Sequence, residues 1–468
     1  MKAVVYDEEG RVELSSASPF CRESHERDAQ PAHYGLRPEI ADKRRKKGHT
    51  VGVRDRLQVL EKEETPIRVG LVGAGQMGRG FIAQVAGIPG MEVTAVADIE
   101  SERAISAFRE VGRDPATSGE GRPGRPRVTD DAEELSRSDS VDVVVEATGI
   151  PEIGARVAFD AIHNGKHVVM LNVEADVTIG PILARMSRSA GVVYTGSAGD
   201  EPGAIMELYD FARSLGFEVV AAGKGKNNPL DYTATPDALA DEAATKRMNP
   251  KMLASFVDGT KTMVEMAAVA NATGMTPDTP GMHGPEETVP NRLGGLFSLE
   301  EEGGILSEYD TVDYVRGVAP GVFVIIRAEA EPVRETLEYL GQGAGPNYVL
   351  YRPYHLTSLE TPMSVARAAL YGEPTIAPLE APSAEVVAVA KRDLEPGETL
   401  GSIGSADYYS CIYGVSEARG MLPIGLAEGA RMTSPMKRGD IITRASVELA
   451  DETFVQSLRR LQETALGW

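Results

Sequence analysis

Residues 67–98 read IRVGLVGAGQMGRGFIAQVAGIPGMEVTAVAD. A short apolar run (Ile67, Val69, Leu71, Val72) leads into Gly73-Ala74-Gly75-Gln76-Met77-Gly78. A helical pattern follows (Phe81, Ile82, Val85, Ala86), and a second apolar run (Val93, Ala95, Val96) ends on Asp98. The order is strand, glycine turn, helix, strand. In such a unit Gly73 allows the tight turn, Gly75 lets the backbone approach a pyrophosphate, and Gly78 lets the helix pack close to the sheet. The helix start then offers the N–H groups of Gln76, Met77 and Gly78 and its positive dipole end to the phosphates. A GxGxxG alone is weak. Between a strand and a helix, with an acid about 20 residues beyond the last glycine, it specifies dinucleotide binding. A glycine-rich turn in some other α/β domain leaves Asp98 unexplained. An acid there suits the ribose hydroxyls of NAD, whereas Ser101 and Arg103 are placed to take the phosphate of NADP. The cofactor is NADP or NAD.

At 468 residues the chain has room for two or three domains. Its net charge of −22 argues against nucleic acid and against an anionic membrane surface, but not against a phosphorylated substrate, since a local basic pocket can sit in an acidic protein; a small-molecule substrate is expected. A homo-oligomer is expected. Cys21 and Cys411 lie in unlike contexts, which fits a reducing compartment rather than a disulfide framework. No apolar run reaches transmembrane length, and the N-terminus lacks a signal-peptide core. The expectation is a soluble cytoplasmic protein.

Residues 1–64 form an extension. MKAVVYDEEGRVEL suits a small hairpin, the polar, aperiodic stretch after it suits partial disorder, and residues 54–64 suit a lead-in helix. Cys21, His25 and His33 lack the second ligand pair of a zinc site. Residues 65–200 alternate strands and helices, which predicts a Rossmann-type doubly wound sheet. Its strands include 141–149, 166–172 and 191–195, and residues 112–127 form a surface loop. Ala147-Thr148-Gly149 falls at the carboxyl edge, where cofactors lie. Residues 201–380 read as an α+β catalytic domain. A helix begins at Asp200-Glu201-Pro202-Gly203, and a strand (217–222) runs into the turn Gly223-Lys224-Gly225-Lys226-Asn227-Asn228-Pro229. Two lysines and two asparagines there suit an anionic substrate. Residues 251–274 form one helix on which Lys261 and Glu265 share a face. Residues 275–305 form a long, lid-like loop. His355 lies beside Arg352, Tyr354 and Thr357. A helix over 364–371 returns to the first domain. Residues 383–450 predict short strands and turns, a small all-β domain, and residues 451–468 an amphipathic terminal helix.

VGAGQMGRG, VVVEATG and KHVVMLN resemble the nucleotide domain of homoserine dehydrogenases. GDEPGAIMELYDFARSLGFEVVAAGKGKNNP and RPYHLTSLETP are similar to the 1-deoxy-D-xylulose 5-phosphate reductoisomerase-like oxidoreductases. AVAKRDLEPGETL and MTSPMKRGDIIT resemble SAF, a β-clip module. The resemblance covers about residues 65–450. It implies NAD(P)-dependent redox chemistry on a small carbonyl or hydroxyl substrate, sugar-phosphate-like or sugar-acid-like, with isomerisation in the reductoisomerase version. Homoserine dehydrogenases carry an acid and then a lysine four residues on in their catalytic helix. Counted back from Gly274, this chain has Lys261 and Glu265 in the reverse order.

These residues give one mechanism and two alternatives. Lys224 and Lys226 bind the substrate anion, and one of them or Lys261 donates the proton, its pKa lowered between cations. Glu201 or Glu265 orients it, and Asp200, Asn227, Asn228 and His355 contact substrate. Asp200, Glu201 and Asp231 are carboxylates available to a divalent metal, though no spacing demands one. The alternatives are homoserine-dehydrogenase-like oxidation of an amino-acid alcohol and a nucleotide sensor without turnover.

Overall fold

The computed structural model describes residues 5–6, 12–13, 52–119, 121–449 and 452–467. Val5–Tyr6 pairs antiparallel with Val12–Glu13 as the expected hairpin. The expected disorder of the extension and the metal reading of Cys21, His25 and His33 lie outside the described residues. Helix α1 (Gly52–Lys62) precedes the first domain.

Six strands make the first sheet: β1 (Ile67–Val72), β2 (Met91–Ala97), β3 (Arg127–Thr129), β4 (Val143–Glu146), β5 (His167–Met170) and β6 (Tyr194–Gly196). Their order is β3-β2-β1-β4-β5-β6, and every pairing is parallel. This is the doubly wound order, with its switch point between β1 and β4. Helices α2 (Gln76–Val85), α3 (Ser101–Glu110), α4 (Ala132–Arg137), α5 (Pro151–His163) and α6 (Val173–Ala190) make the crossovers. Side chains alternate along each strand. Ile67, Val69, Leu71, Val143 and Val145 pack into one core with α1, α2 and α3, whereas Val144 faces α5 and α6. Residues 112–127 are not wholly a surface loop. They end in β3, whose three residues are too short to show alternation.

Helix α7 (Glu201–Ser214) leads into the second sheet: β7 (Glu218–Lys226), β8 (Thr311–Arg316), β9 (Val322–Arg327) and β10 (Asn347–Arg352), in the order β8-β7-β9-β10. Both faces are covered. Val322, Val324 and Ile326 enter the core shared with Met263, Val264 and Ala267, while Phe323 and Ile325 enter a separate cluster with Leu293 and Phe297. Helix α8 (Ala240–Lys246) follows the strand. The single helix expected over 251–274 is two, α9 (Pro250–Val257) and α10 (Thr260–Thr273). Gly259 separates them at φ +87°, a left-handed conformation that favours glycine. Residues 275–305 are not a free lid. Met275, Met282, Phe297 and Leu293, the last on the short α11 (Leu293–Leu296), are buried. After α12 (Glu331–Tyr339), helix α13 (Thr361–Tyr371) returns to the first domain, as expected, and buries Val365, Ala366 and Ala369 beside β1 and β4.

The tail pairs β11 (Ala384–Ala390) with β12 (Tyr408–Gly414), and β13 (Arg431–Met432) with β14 (Val447–Glu448). Helix α14 (Phe454–Leu466) closes the chain, with Gln462 Oε1 accepting from Ile182 N of α6 at 3.1 Å.

Candidate active site

The loops after β1 and β4 meet at the switch point. A Cβ on Gly73 would lie 2.9 Å from Ala147 O, and one on Gly78 only 2.0 Å from Gly73 O, so both positions need glycine. Gly75 differs: nothing lies within 4 Å of its missing Cβ. It caps α2 without a side chain, leaving the first amides of that helix without intrahelical partners. A cavity of about 800 Å³ opens here, lined by Gly73, Gly75, Asp98, Arg103, Ala147 and Thr148 among others. This open backbone cradle fits a pyrophosphate. Asp98 accepts from Ala74 N at 2.6 Å and from Glu100 N at 2.7 Å, which joins the glycine loop to the end of β2. Arg103 pairs with Glu100 at 2.6 Å. Beneath the loop, Glu146 is fully buried. Its Oε1 accepts from Thr148 N at 2.9 Å and from the Thr148 hydroxyl. Burial raises its carboxyl to about 7, against the pull of Thr148.

A second candidate group is a side-chain cluster. Strand β7 does not end at Ala222 but continues to Lys226. This puts Lys224 and Lys226 two apart on one strand face, while Gly223 and Gly225 admit close backbone: a Cβ on Gly225 would lie 2.3 Å from Ala319 N. Lys224 Nζ donates to Glu201 Oε1 at 2.6 Å and to Glu265 Oε2. Lys226 Nζ donates to Phe256 O at 2.6 Å. His355 Nε2 lies 3.4 Å from Glu201 Oε1, and its Nδ1 3.1 Å from Gly199 O. The His355 turn is pinned by Thr357 N donating to Gly199 O at 2.8 Å. Asp200 caps α7, its Oδ1 accepting from Glu201 N at 3.2 Å. Lys224, Lys226 and Glu265 are buried, while Asp200, Glu201, Lys261 and His355 are partly exposed and make the open side.

The charges follow from these contacts. Burial would lower the Lys224 ammonium, but Glu201 and Glu265 outweigh it and raise it. Burial would raise Glu201, but Lys224 and then His355 hold it at about 2. Burial, then the Glu201 charge, raises Glu265. Burial, then the carboxylates of Glu201 and Glu265, raises Asp200 well above its ordinary range. Lys226 has no carboxylate bonded to it. Burial and then Lys224 lower it to about 8.

The structure brings Lys224, Glu201, Asp200, Glu265 and His355 together. Three expectations are corrected. Lys261 and Glu265 do not pair, because Lys261 is bound by Glu174 of α6. Lys224 is not lowered between cations, because it sits between carboxylates. Asn227 is exposed and Asn228 part-exposed, past the end of β7, and Asp231 is exposed and accepts from Thr233 at 2.6 Å, away from the carboxylate group. Of the carboxylates weighed for a metal, Asp200 and Glu201 do converge, with Glu265 as the third: their oxygens lie within 4.8 Å of one another. The Lys224 ammonium bonds two of the three. Sequence reasoning missed Glu146 and Glu174. An acid ending a strand and one in the first turn of a helix both look ordinary, and only their burial separates them.

Two family models match in succession. Residues 73–194 match the one described as homoserine dehydrogenase, NAD binding domain. Residues 199–361 match the one described as oxidoreductase DRL, catalytic domain. An NAD-binding domain thus precedes an oxidoreductase catalytic domain. The chain is 36% identical to the homoserine dehydrogenase of Methylobacillus glycogenes over 117 residues, 23% of this chain and 25% of that protein. It is 35% identical to a glycosyl hydrolase family 109 protein of Saccharopolyspora erythraea over 113 residues, 23% of each. The chain therefore spans about a quarter of the length of these curated relatives. Among solved structures, a probable dehydrogenase from Thermotoga maritima is 15% identical at a TM-score of 0.39, covering 66% of this chain and 90% of that one. The scyllo-inositol dehydrogenase of Lactobacillus casei with NAD(H) and scyllo-inositol is 12% identical at 0.36, covering 65% and 87%. No helix among the described residues is long and apolar enough to cross a membrane.

Proposed function

We propose that the chain is an NAD(P)-dependent oxidoreductase acting on a carbonyl or hydroxyl carbon of a small substrate. The bound cofactor supplies or accepts the hydride. The protein's own part is to hold the substrate against the carboxyl edge of the first sheet and to move a proton. The observation that carries this reading is Lys226: a buried ammonium held by a carbonyl oxygen, with a pKa near 8. A proton donor works best when its pKa lies near the working pH. In the reducing direction Lys226 gives its proton to the substrate oxygen as hydride reaches the carbon, and in the oxidising direction it takes the proton back. Lys224, fixed between Glu201 and Glu265, stays charged and holds down the affinity of Lys226 for its proton.

The same charges bear on the substrate. Lys224 and Lys261 are already neutralised by buried carboxylates. That leaves cationic capacity for about one carboxylate, so a hydroxyl-rich or sugar-acid-like substrate suits the site better than a sugar phosphate. The carboxylate trio has the donor set for a cation, but the Lys224 ammonium meets that need, so no step is assigned to a metal. We read the all-β tail as a SAF module and the whole as cytoplasmic. The test is NADPH or NADH oxidation against a panel of ketoses, sugar acids and 1-deoxy-D-xylulose 5-phosphate, with Lys226→Ala as control. Turnover on the sugar phosphate alone would overturn the charge argument. Tight cofactor binding with no turnover on the whole panel, homoserine included, would favour the sensor.

A further inference from the structure

Thr148 lines the cofactor cavity at the switch point, and its bonding capacity is nearly used up. A threonine hydroxyl has one proton and two lone pairs. The proton goes to Glu146 Oε1. One lone pair faces Ile150 N at 3.3 Å. What remains is a single lone pair, so toward a ligand this hydroxyl is an acceptor only.

Glu146 sets that polarity. Its Oε1 holds both the amide and the hydroxyl of Thr148, and an ionised carboxylate has no proton to offer in return. Its Oε2 is sealed from solvent, and the side chain of Asn172 also stabilises the charged form. A buried carboxylate is costly, and packing does not require one here: Val143, Val144 and Val145 fill the rest of the same strand.

We propose that Glu146, acting through Thr148, makes this edge of the site an acceptor that selects a cofactor whose pyridine ring bears a carboxamide amino group over one bearing a carboxylate. The inference rests on the NAD(P) reading of the cavity. A carboxamide brings N–H protons to the free lone pair. A carboxylate brings only lone pairs and a negative charge, toward a hydroxyl backed by another carboxylate. Glu146 is thus a positioning residue, and Thr148 the group that touches the cofactor.

The test is equilibrium binding by calorimetry, without turnover, of NAD+ and of its deamido analogue, in which nicotinic acid replaces nicotinamide. The measurement is made above the Glu146 pKa of about 7. We expect the full chain to bind NAD+ about tenfold or more tighter than the analogue. Thr148→Val, which keeps the shape and removes the hydroxyl, should bring the two within about threefold. Glu146→Gln can donate to the Thr148 oxygen and turn the hydroxyl outward as a donor, so the preference should shrink or invert. Equal binding of both dinucleotides by the unmodified chain overturns the inference and leaves the function standing. So does a preference that survives Thr148→Val. If neither NAD+ nor NADP+ binds, the proposed function fails first and the inference falls with it.

Discussion

The cofactor edge and the lysine cluster are built from different material. The edge is backbone: two loops, three glycines and a helix start, nearly all supplied by residues 67–98. The cluster is side chains. It takes Glu201 from α7, Lys224 and Lys226 from β7, Glu265 from α10 and His355 from the turn before α13. The edge works by leaving space open, as at Gly75. The cluster works by filling space with balanced charge. Binding and proton transfer should therefore separate under mutation.

Lys226 is the sharpest place to break that separation. Lys226→Ala should lower turnover in the reducing direction by about 10²–10⁴-fold and leave NAD(P)H affinity unchanged. Lys226→Arg should not restore it, because a guanidinium keeps its proton across this range. In the unmodified chain, with Lys226 near 8, reduction should decline as pH rises through that value and oxidation should improve. The limb should vanish in Lys226→Ala. An affinity that falls together with turnover would mean the two halves are not independent.

Lys224 tests the cluster as a structural unit. Lys224→Met leaves Glu201 and Glu265 facing each other without their shared cation. Removing one partner of a buried ion pair costs about 3–5 kcal/mol, to be read in denaturant unfolding; a loss under about 1 kcal/mol would mean solvent reaches the pair freely. The pH dependence has a definite sign. Glu201 is held at about 2, below its ordinary 4.5. Its contribution is complete above pH 4.5 and is lost as pH falls toward 2. That acid-labile window should flatten in Lys224→Met.

The same contrast explains what the sequence disclosed. The glycine loop, the doubly wound sheet, the carboxyl edge at Ala147-Thr148-Gly149 and the start of α7 at Asp200 were legible, because each depends on residues within a few positions of one another. The lysine face was half legible. Lys224 and Lys226 stood out as a basic pair in an acidic chain, but the two glycines between and before them suggested a turn. They in fact thin a strand that runs against Ala319 and Asp313. The partners were not legible. Nothing local says that Lys224 meets Glu201 and Glu265, or that Lys261 meets Glu174, since those distances along the chain are closed only by the packing of α6, α7 and α10. Gly259, which splits the helix expected over 251–274, reads in sequence as an ordinary interior glycine.

Two glycines sharpen the account of the edge. Gly75→Ala meets nothing within 4 Å, so the protein should fold with unchanged stability. Its new methyl group occupies the space left for a pyrophosphate, so NAD(P)H affinity should fall by about tenfold. Gly78→Ala should do the opposite, destabilising the fold in thermal melts because its Cβ would collide with Gly73 O. Equal effects at both positions would remove the idea that Gly75 is kept open for a ligand.

The smallest effect belongs at the end of β7, where the sequence pointed and the structure does not. Asn227 and Asn228 follow the lysines directly and were natural candidates for substrate contacts. The strand ends at Lys226, however, and the chain turns outward, leaving Asn227 exposed and Asn228 part-exposed. Substitutions at such surface positions usually stay within about 0.5 kcal/mol. Asn227→Ala and Asn228→Ala should therefore change KM and kcat by no more than about twofold. A tenfold rise in KM at either would place the substrate on the outer side of the turn and move the site off the Lys226 face. That would weaken the Lys226 argument more than any loss of stability could.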